Sequence, residues 1–291
     1  MSGGLDTHFL EQAFAWLLVE GAGLPDPAEQ AALLGAFWSH EAWCLRGSAD
    51  DDDDDFKSRG QFGGYSIVWA LARLALSSPA ATAAPIWEQV FAIGPRGHHA
   101  IDAFLAEWFT LIKEPTDLAD FGKRWRPMIE YVLSNQTWAA AGKWYYAQKL
   151  ERQVLGFGAQ VSIARAPNHA TLIGGVRDLY KAWAETRLPS DQDNMAGFCY
   201  FLSSDAGHVL RMDGLQWIAA VMRAEPETGN WYRDSTSNAF MALLEAAVLE
   251  DTDELAKNPA ARQALVVLIA HAVARQLPRA LALQERVGRL R

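Results

Sequence analysis

Residues 101–132 read IDAFLAEWFTLIKEPTDLADFGKRWRPMIEYV, and this stretch decides the fold class. Ile101, Phe104, Leu105, Trp108 and Ile112 recur at three- and four-residue intervals, so they share one face of a helix. The Glu114, Pro115, Thr116 break interrupts that stripe. A second stripe follows: Leu118, Phe121, Trp125, Met128, Ile129 and Val132. Each predicted helix therefore carries one apolar face with large aromatics on it, a face it cannot bury alone. Pro127 falls inside the second stripe. It lacks an N–H and its ring crowds the preceding turn, so a kink or a split near Arg126 is expected.

The same pattern extends in both directions. Leu10, Phe14, Leu17 and Leu18 mark a first helix, and Asp26 with Pro27 opens a second, to about Leu45. Tyr65, Trp69 and Leu76 mark a third. Beyond Val132 the pattern predicts a helix over 138–155, ended by Gly156 and Gly158, and another over 170–186 with the stripe Leu172, Val176, Leu179, Tyr180 and Trp183. Val161 and Ile163 alternate, but they have no pairing partner and read as extended loop. Pro189 stops one helix, Ser190 and Asp191 open the next, and Asn258 with Pro259 opens another. Pro278 begins a last short helix with Leu281 and Leu283. The result is an all-α chain of about thirteen helices of roughly 10–20 residues.

Twelve tryptophans are spread along the 291 residues, as expected of a core that runs from end to end. Predicted helix pairs begin roughly every 35–50 residues, the spacing of helical-hairpin repeats. The expected architecture is a HEAT/armadillo-like α-solenoid of stacked hairpins, with an irregular compact helical globule as the alternative. Residues 1–60 form an acidic N-terminal helical pair with an Asp-rich loop, and residues 61–291 the helical array, continuous with the first part or separate from it.

Charge is unevenly placed. Residues 1–60 carry the whole net charge of −9, largely through Asp50, Asp51, Asp52, Asp53, Asp54 and Asp55. These six carboxylates repel one another, and a solvated loop is the expectation; they lack the glycine and terminal glutamate of a calcium loop. Residues 121–188 are basic. An acidic end and a basic middle suit a partner-binding scaffold better than a nucleic-acid binder, whose affinity rests on phosphate contacts. The start of the chain lacks the basic and apolar regions of a secretory signal, and no apolar stretch is long enough to span a bilayer. A cytoplasmic location without a membrane partner is expected.

Tests for chemistry return little. His8, His40, His98, His99, His169, His208 and His271 show no metal-binding spacing, and neither the nucleophile elbow nor the phosphate loop occurs. Cys44 and Cys199 lie in apolar runs and read as buried free thiols. His271 reads as a hydrogen-bonded core histidine. No catalytic residue, metal or cofactor is expected. Lys123, Arg124 and Arg126, with Trp138, Lys143, Trp144, Tyr145, Tyr146, Lys149 and Arg152, are the one candidate nucleic-acid surface.

Four phrases carry a resemblance: residues 124–131 (RWRPMIEY), 144–146 (WYY), 213–218 (DGLQWI) and 274–285 (ARQLPRALALQE). From about Phe121 onward the chain resembles the C-terminal helical, HEAT-like region of very large bacterial NTPase-type proteins of antiphage defence. The resemblance implies a sensor or scaffold whose NTPase and effector parts lie elsewhere. This chain departs from the full-length pattern in having no Walker motif.

The first functional expectation is a non-enzymatic scaffold or sensor recognising a protein partner, with Arg124, Arg126, Tyr145, Tyr146 and Tyr232 as contacts. The second is a HEAT-like enzyme acting on nucleic acid through residues 121–188, such as a base-excising DNA glycosylase.

Overall fold

The computed structural model describes residues 87–88, 91, 105, 109, 115–134, 144–158, 163–166, 168–229 and 233–288. Among these residues every regular element is helical. The expectations for residues 1–60, including Asp50 to Asp55 and Cys44, and for His98, His99 and Tyr232, lie outside the described residues. No described helix is long and apolar enough to cross a membrane. Ten α-helices are described: α1 (Pro115–Ser134), α2 (Trp144–Val154), α3 (His169–Gly175), α4 (Arg177–Arg187), α5 (Gln192–Ser203), α6 (Arg211–Ala224), α7 (Asp234–Glu250), α8 (Thr252–Lys257), α9 (Pro259–Ala274) and α10 (Ala280–Gly288). Of these, α3, α8 and α10 are shorter than the expected ten residues. The chain divides into two compact units, Met1–Val154 with Gln160–Pro167, and Leu155–Ala159 with Asn168–Arg291.

In the first unit α1 packs on α2. The stripe residues Trp125, Met128, Ile129 and Val132 are all buried. The Trp125 ring meets Phe109 edge-on, with centroids 5.7 Å apart. Its indole N–H donates to the Val154 carbonyl at 2.8 Å. Val154 ends α2, so the indole satisfies a carbonyl that has no donor within its own helix. Trp87 and Phe91 pack with Tyr131 nearby. α1 runs unbroken through Pro127, against the expected split. Pro127 is exposed, as is Lys123 one turn earlier, so the proline lies on the solvent face of the helix, away from the buried stripe. Ile163 opens a short 3-10 turn, Ile163–Arg165, in place of the expected extended segment.

The second unit begins at the turn after α2. Gly156 has φ 80°, the left-handed conformation that glycine adopts without a Cβ clash. The Tyr180 hydroxyl donates to the Leu155 carbonyl. Around this point Phe157, Tyr180, Trp183, Phe198, Phe201 and Trp217 form one aromatic cluster drawn from four elements. The expected helix over 170–186 is two helices, parted at Val176 (φ −125°). Gly174 and Gly175 weaken the helix just before the break. Most of the stripe survives the break: Leu172, Val176, Tyr180 and Trp183 are buried, and Leu179 is half-buried.

Capping residues placed the next boundaries as expected. The Asp191 carboxylate accepts from the Asp193 N–H at the start of α5, and the Asn258 side chain accepts from the Ala261 N–H at the start of α9, with Pro259 in the first turn. α9 closes in a Schellman turn: Gln276 N–H donates to the Val273 carbonyl and Leu277 N–H to the Ala272 carbonyl. Gln276 sits at φ 55°, where a side chain is strained. Gln276→Gly is expected to stabilise the protein by about 0.5–1 kcal/mol, the relief of that strain less glycine's greater freedom when unfolded. A urea-unfolding midpoint measures it, and an unchanged midpoint contradicts it. Leu283 is buried in α10 while Leu281, on the opposite face, is exposed.

The arrangement of the long helices follows from contacts at their ends. α5 lies along α7. At their starts Arg233 pairs with Asp193, and Thr236 Oγ1 donates to the Gln192 carbonyl at 3.3 Å. At their ends Arg211 bridges Leu202 and Ser203 to Glu250 and Asp251. The two helices therefore run in the same direction. α6 lies along α9, and Gly229, just after α6, packs so closely on His271 near the end of α9 that a Cβ there would lie 2.2 Å from Nε2. These two run together as well, opposite to the first pair. α5 with α6 and α7 with α9 thus form two antiparallel hairpins lying side by side. Gly207 makes the tight return between α5 and α6, where a Cβ would lie 2.1 Å from the Phe201 carbonyl oxygen.

Candidate functional site

A buried polar constellation lies where α5 and α7 end. A helix C-terminus leaves its last carbonyls without donors and carries the negative end of the helix dipole. Arg211, the first residue of α6, meets both needs while only 1% exposed. Its Nε donates to the Leu202 carbonyl at 2.7 Å and its Nη2 to the Ser203 carbonyl at 3.3 Å. Its Nη1 donates to Asp251 Oδ2 at 2.8 Å and to Glu250 Oε2 at 2.9 Å. The planar fork of donors is what lets one side chain reach four acceptors, which a lysine ammonium does not do.

The two carboxylates are unequal partners. The Asp251 side chain is 1% exposed and that of Glu250 is 59% exposed. Water competes for Glu250, so its pair contributes at most about 1 kcal/mol. Asp251 is held away from water, so its bond to Arg211 dominates. The other Asp251 oxygen, Oδ1, faces His208 Nε2 at 2.9 Å. His208 stands on the short turn His208–Leu210 that leads into α6. Glu254 lies three residues past Asp251, one helical turn on and therefore on the same face. One donor atom from each of His208, Asp251 and Glu254 lies within 4.8 Å of the others. A buried carboxylate fixed by an arginine and facing an imidazole orients either a proton acceptor or a metal ligand.

Burial shifts three other titratable groups of the second unit. Burial lowers the His271 pKa, with Arg275 adding to the effect and the Gly229 backbone opposing it. Burial pushes the Cys199 thiol well up, and Cys199 is a free, buried cysteine as expected. Burial likewise raises the Tyr180 hydroxyl.

The candidate contacts from the sequence fall elsewhere. Arg124 and Arg126 flank buried Trp125 on α1, each half-buried, and Arg126 pairs with Glu130 at 3.0 Å. Tyr145 and Tyr146 belong to the first turn of α2, and their side chains lie outside the described residues, as does Tyr232. The basic segment 121–188 is divided between the two units.

Sequence reasoning missed Arg211, His208, Asp251 and Glu254. Asp251 and His208 are 43 residues apart, far beyond the reach of any short motif. The available signal was Asp251 and Glu254 at helical spacing directly after a long apolar helix, with one arginine, Arg211, set among Leu210, Met212 and Leu215. Comparison with protein-family models, with curated proteins and with solved structures finds no match to this chain.

Proposed function

We propose that the chain is a non-enzymatic helical scaffold or sensor module of the HEAT/armadillo-like solenoid type, which recognises a protein partner within a bacterial antiphage-defence system. The observation that carries this reading is the side-by-side pairing of α5 with α7 and of α6 with α9, each pair running in one direction. Repeating that step generates a solenoid, whose extended surface suits protein recognition. The buried aromatics support it: Trp125 and Trp183 fill space between helices. A base-excising glycosylase needs rings open to a cleft to hold an extruded base, which these two are not. The defence setting rests on the resemblance of the helical region alone.

The end of the second unit offers the contact surface. Tyr200, Val209 and Leu249 are large, apolar and exposed, and each lies within two residues of Leu202, His208 or Glu250. Aromatic and aliphatic groups beside charged ones are the composition of binding hot spots. A variant with Tyr200→Glu and Leu249→Glu is expected to keep its circular-dichroism spectrum and to lose, at least tenfold, the proteins that the unaltered chain retains from a lysate of its native host. Capture of the same proteins at the same level by the variant removes this surface from the reading. Capture of no protein by the unaltered chain removes the scaffold reading itself.

A further inference from the structure

We propose that His208, Asp251 and Glu254 bind one divalent transition-metal ion of the Zn²⁺ class. The donor set is an imidazole nitrogen and two carboxylate oxygens, the ligands such ions take from three protein side chains when other positions are left to water or substrate. The donor atoms lie within 4.8 Å of one another, and His208 Nε2 is already 2.9 Å from Asp251 Oδ1. Ligands at tetrahedral Zn²⁺ bond lengths stand about 3.3–3.6 Å apart, so forming the site takes a closure of up to about 1.5 Å and a slight parting of His208 from Asp251. The side chain that has to close in is Glu254, which is exposed.

Two further features suit a cation. Asp251 Oδ2 is occupied by Arg211 Nη1 at 2.8 Å, which fixes the carboxylate plane and leaves Oδ1 on the side of His208. Ligating carboxylates are held in this way by outer partners. The charges also balance. Glu250, Asp251 and Glu254 supply three carboxylates against the single guanidinium of Arg211, a surplus of negative charge that a dication neutralises. The guanidinium alone would repel the ion, and the exposed Glu250 bonded to it offsets that repulsion. The three ligands leave coordination positions open on the side of exposed His208 and Glu254, so water or an anionic group has access to the ion.

The test uses the full chain with ZnCl₂ followed by calorimetry, and with CoCl₂ followed by visible absorption. The expected result is one ion per chain, a cobalt spectrum of low-symmetry coordination, and at least tenfold weaker binding in both His208→Ala and Glu254→Gln. Glu254→Gln alters an exposed side chain, so it decides the matter if His208→Ala does not fold. No saturable binding by the unaltered chain, or affinity unchanged in Glu254→Gln, overturns the site.

Discussion

Arg211→Met is expected to destabilise the second unit by about 3–5 kcal/mol, the cost of leaving one partner of a buried ion pair alone. Methionine keeps much of the apolar stem, so lost packing is the smaller part of the effect. What disappears is the donor set. Asp251 Oδ2 is left in a site where its side chain is 1% exposed, and the Leu202 and Ser203 carbonyls at the end of α5 lose their bonds. Arg211→Lys restores the charge without the fork and is expected to recover less than half of the loss. Glu250→Gln changes only the exposed partner and is expected to cost under about 1 kcal/mol. The double variant Arg211→Met with Asp251→Asn is expected to be less destabilised than the two single changes added together, since each leaves the other's partner stranded. Urea-unfolding midpoints followed by circular dichroism measure these four and the Asp251→Asn single variant that the comparison needs. A loss below about 1 kcal/mol for Arg211→Met shows that water reaches Asp251 and that the network is not what ties α5 to α7.

The contrast between Arg211 and the caps shows what this sequence discloses about its own fold. Asp191 and Asn258 act on N–H groups two and three residues away, so the residue type and its neighbours contain the whole interaction. The apolar stripes are legible for the same reason: Leu172, Val176, Tyr180 and Trp183 are buried even though the helix breaks at Val176, while Leu179 is only half-buried. For that reason the stripe hides the break. Pro127 misleads in the other sense. Its penalty depends on whether the carbonyl one turn earlier can reach water, and exposure is a tertiary property. The direction of α5 relative to α7 depends on contacts such as Thr236 with Gln192, 44 residues apart, and no period in the chain encodes it. The polar cluster is hidden most completely. Arg211 sits between Leu210 and Met212, and only the fold brings Asp251, 40 residues on, to it.

Trp183→Ala is expected to cost about 3–5 kcal/mol, matching the cost of removing a large aromatic from a close-packed core. Trp183 is 1% exposed and packs edge-on against Phe157 with ring centroids 4.9 Å apart, and against Phe198 at 5.7 Å. Those rings come from the turn after α2 and from α5, so the indole joins three separate elements. Alanine leaves a cavity that Phe157 and Phe198 fill only by abandoning their contacts with Tyr180, Phe201 and Trp217. Trp183→Phe keeps a ring of smaller volume and is expected to lose about 1–2 kcal/mol, as a partly filled cavity does. The comparison separates the two uses a tryptophan can have. An indole that grips a ligand contributes little to stability and is costly to binding when removed. An indole that fills the space between helices does the reverse, and partner binding per folded molecule survives its loss. Thermal and urea unfolding of Trp183→Ala, set beside its partner capture at a temperature where it is still folded, therefore tests the architecture directly. A variant as stable as the unaltered chain but unable to bind shows the aromatic cluster to be a binding surface, and the scaffold reading then fails at its foundation.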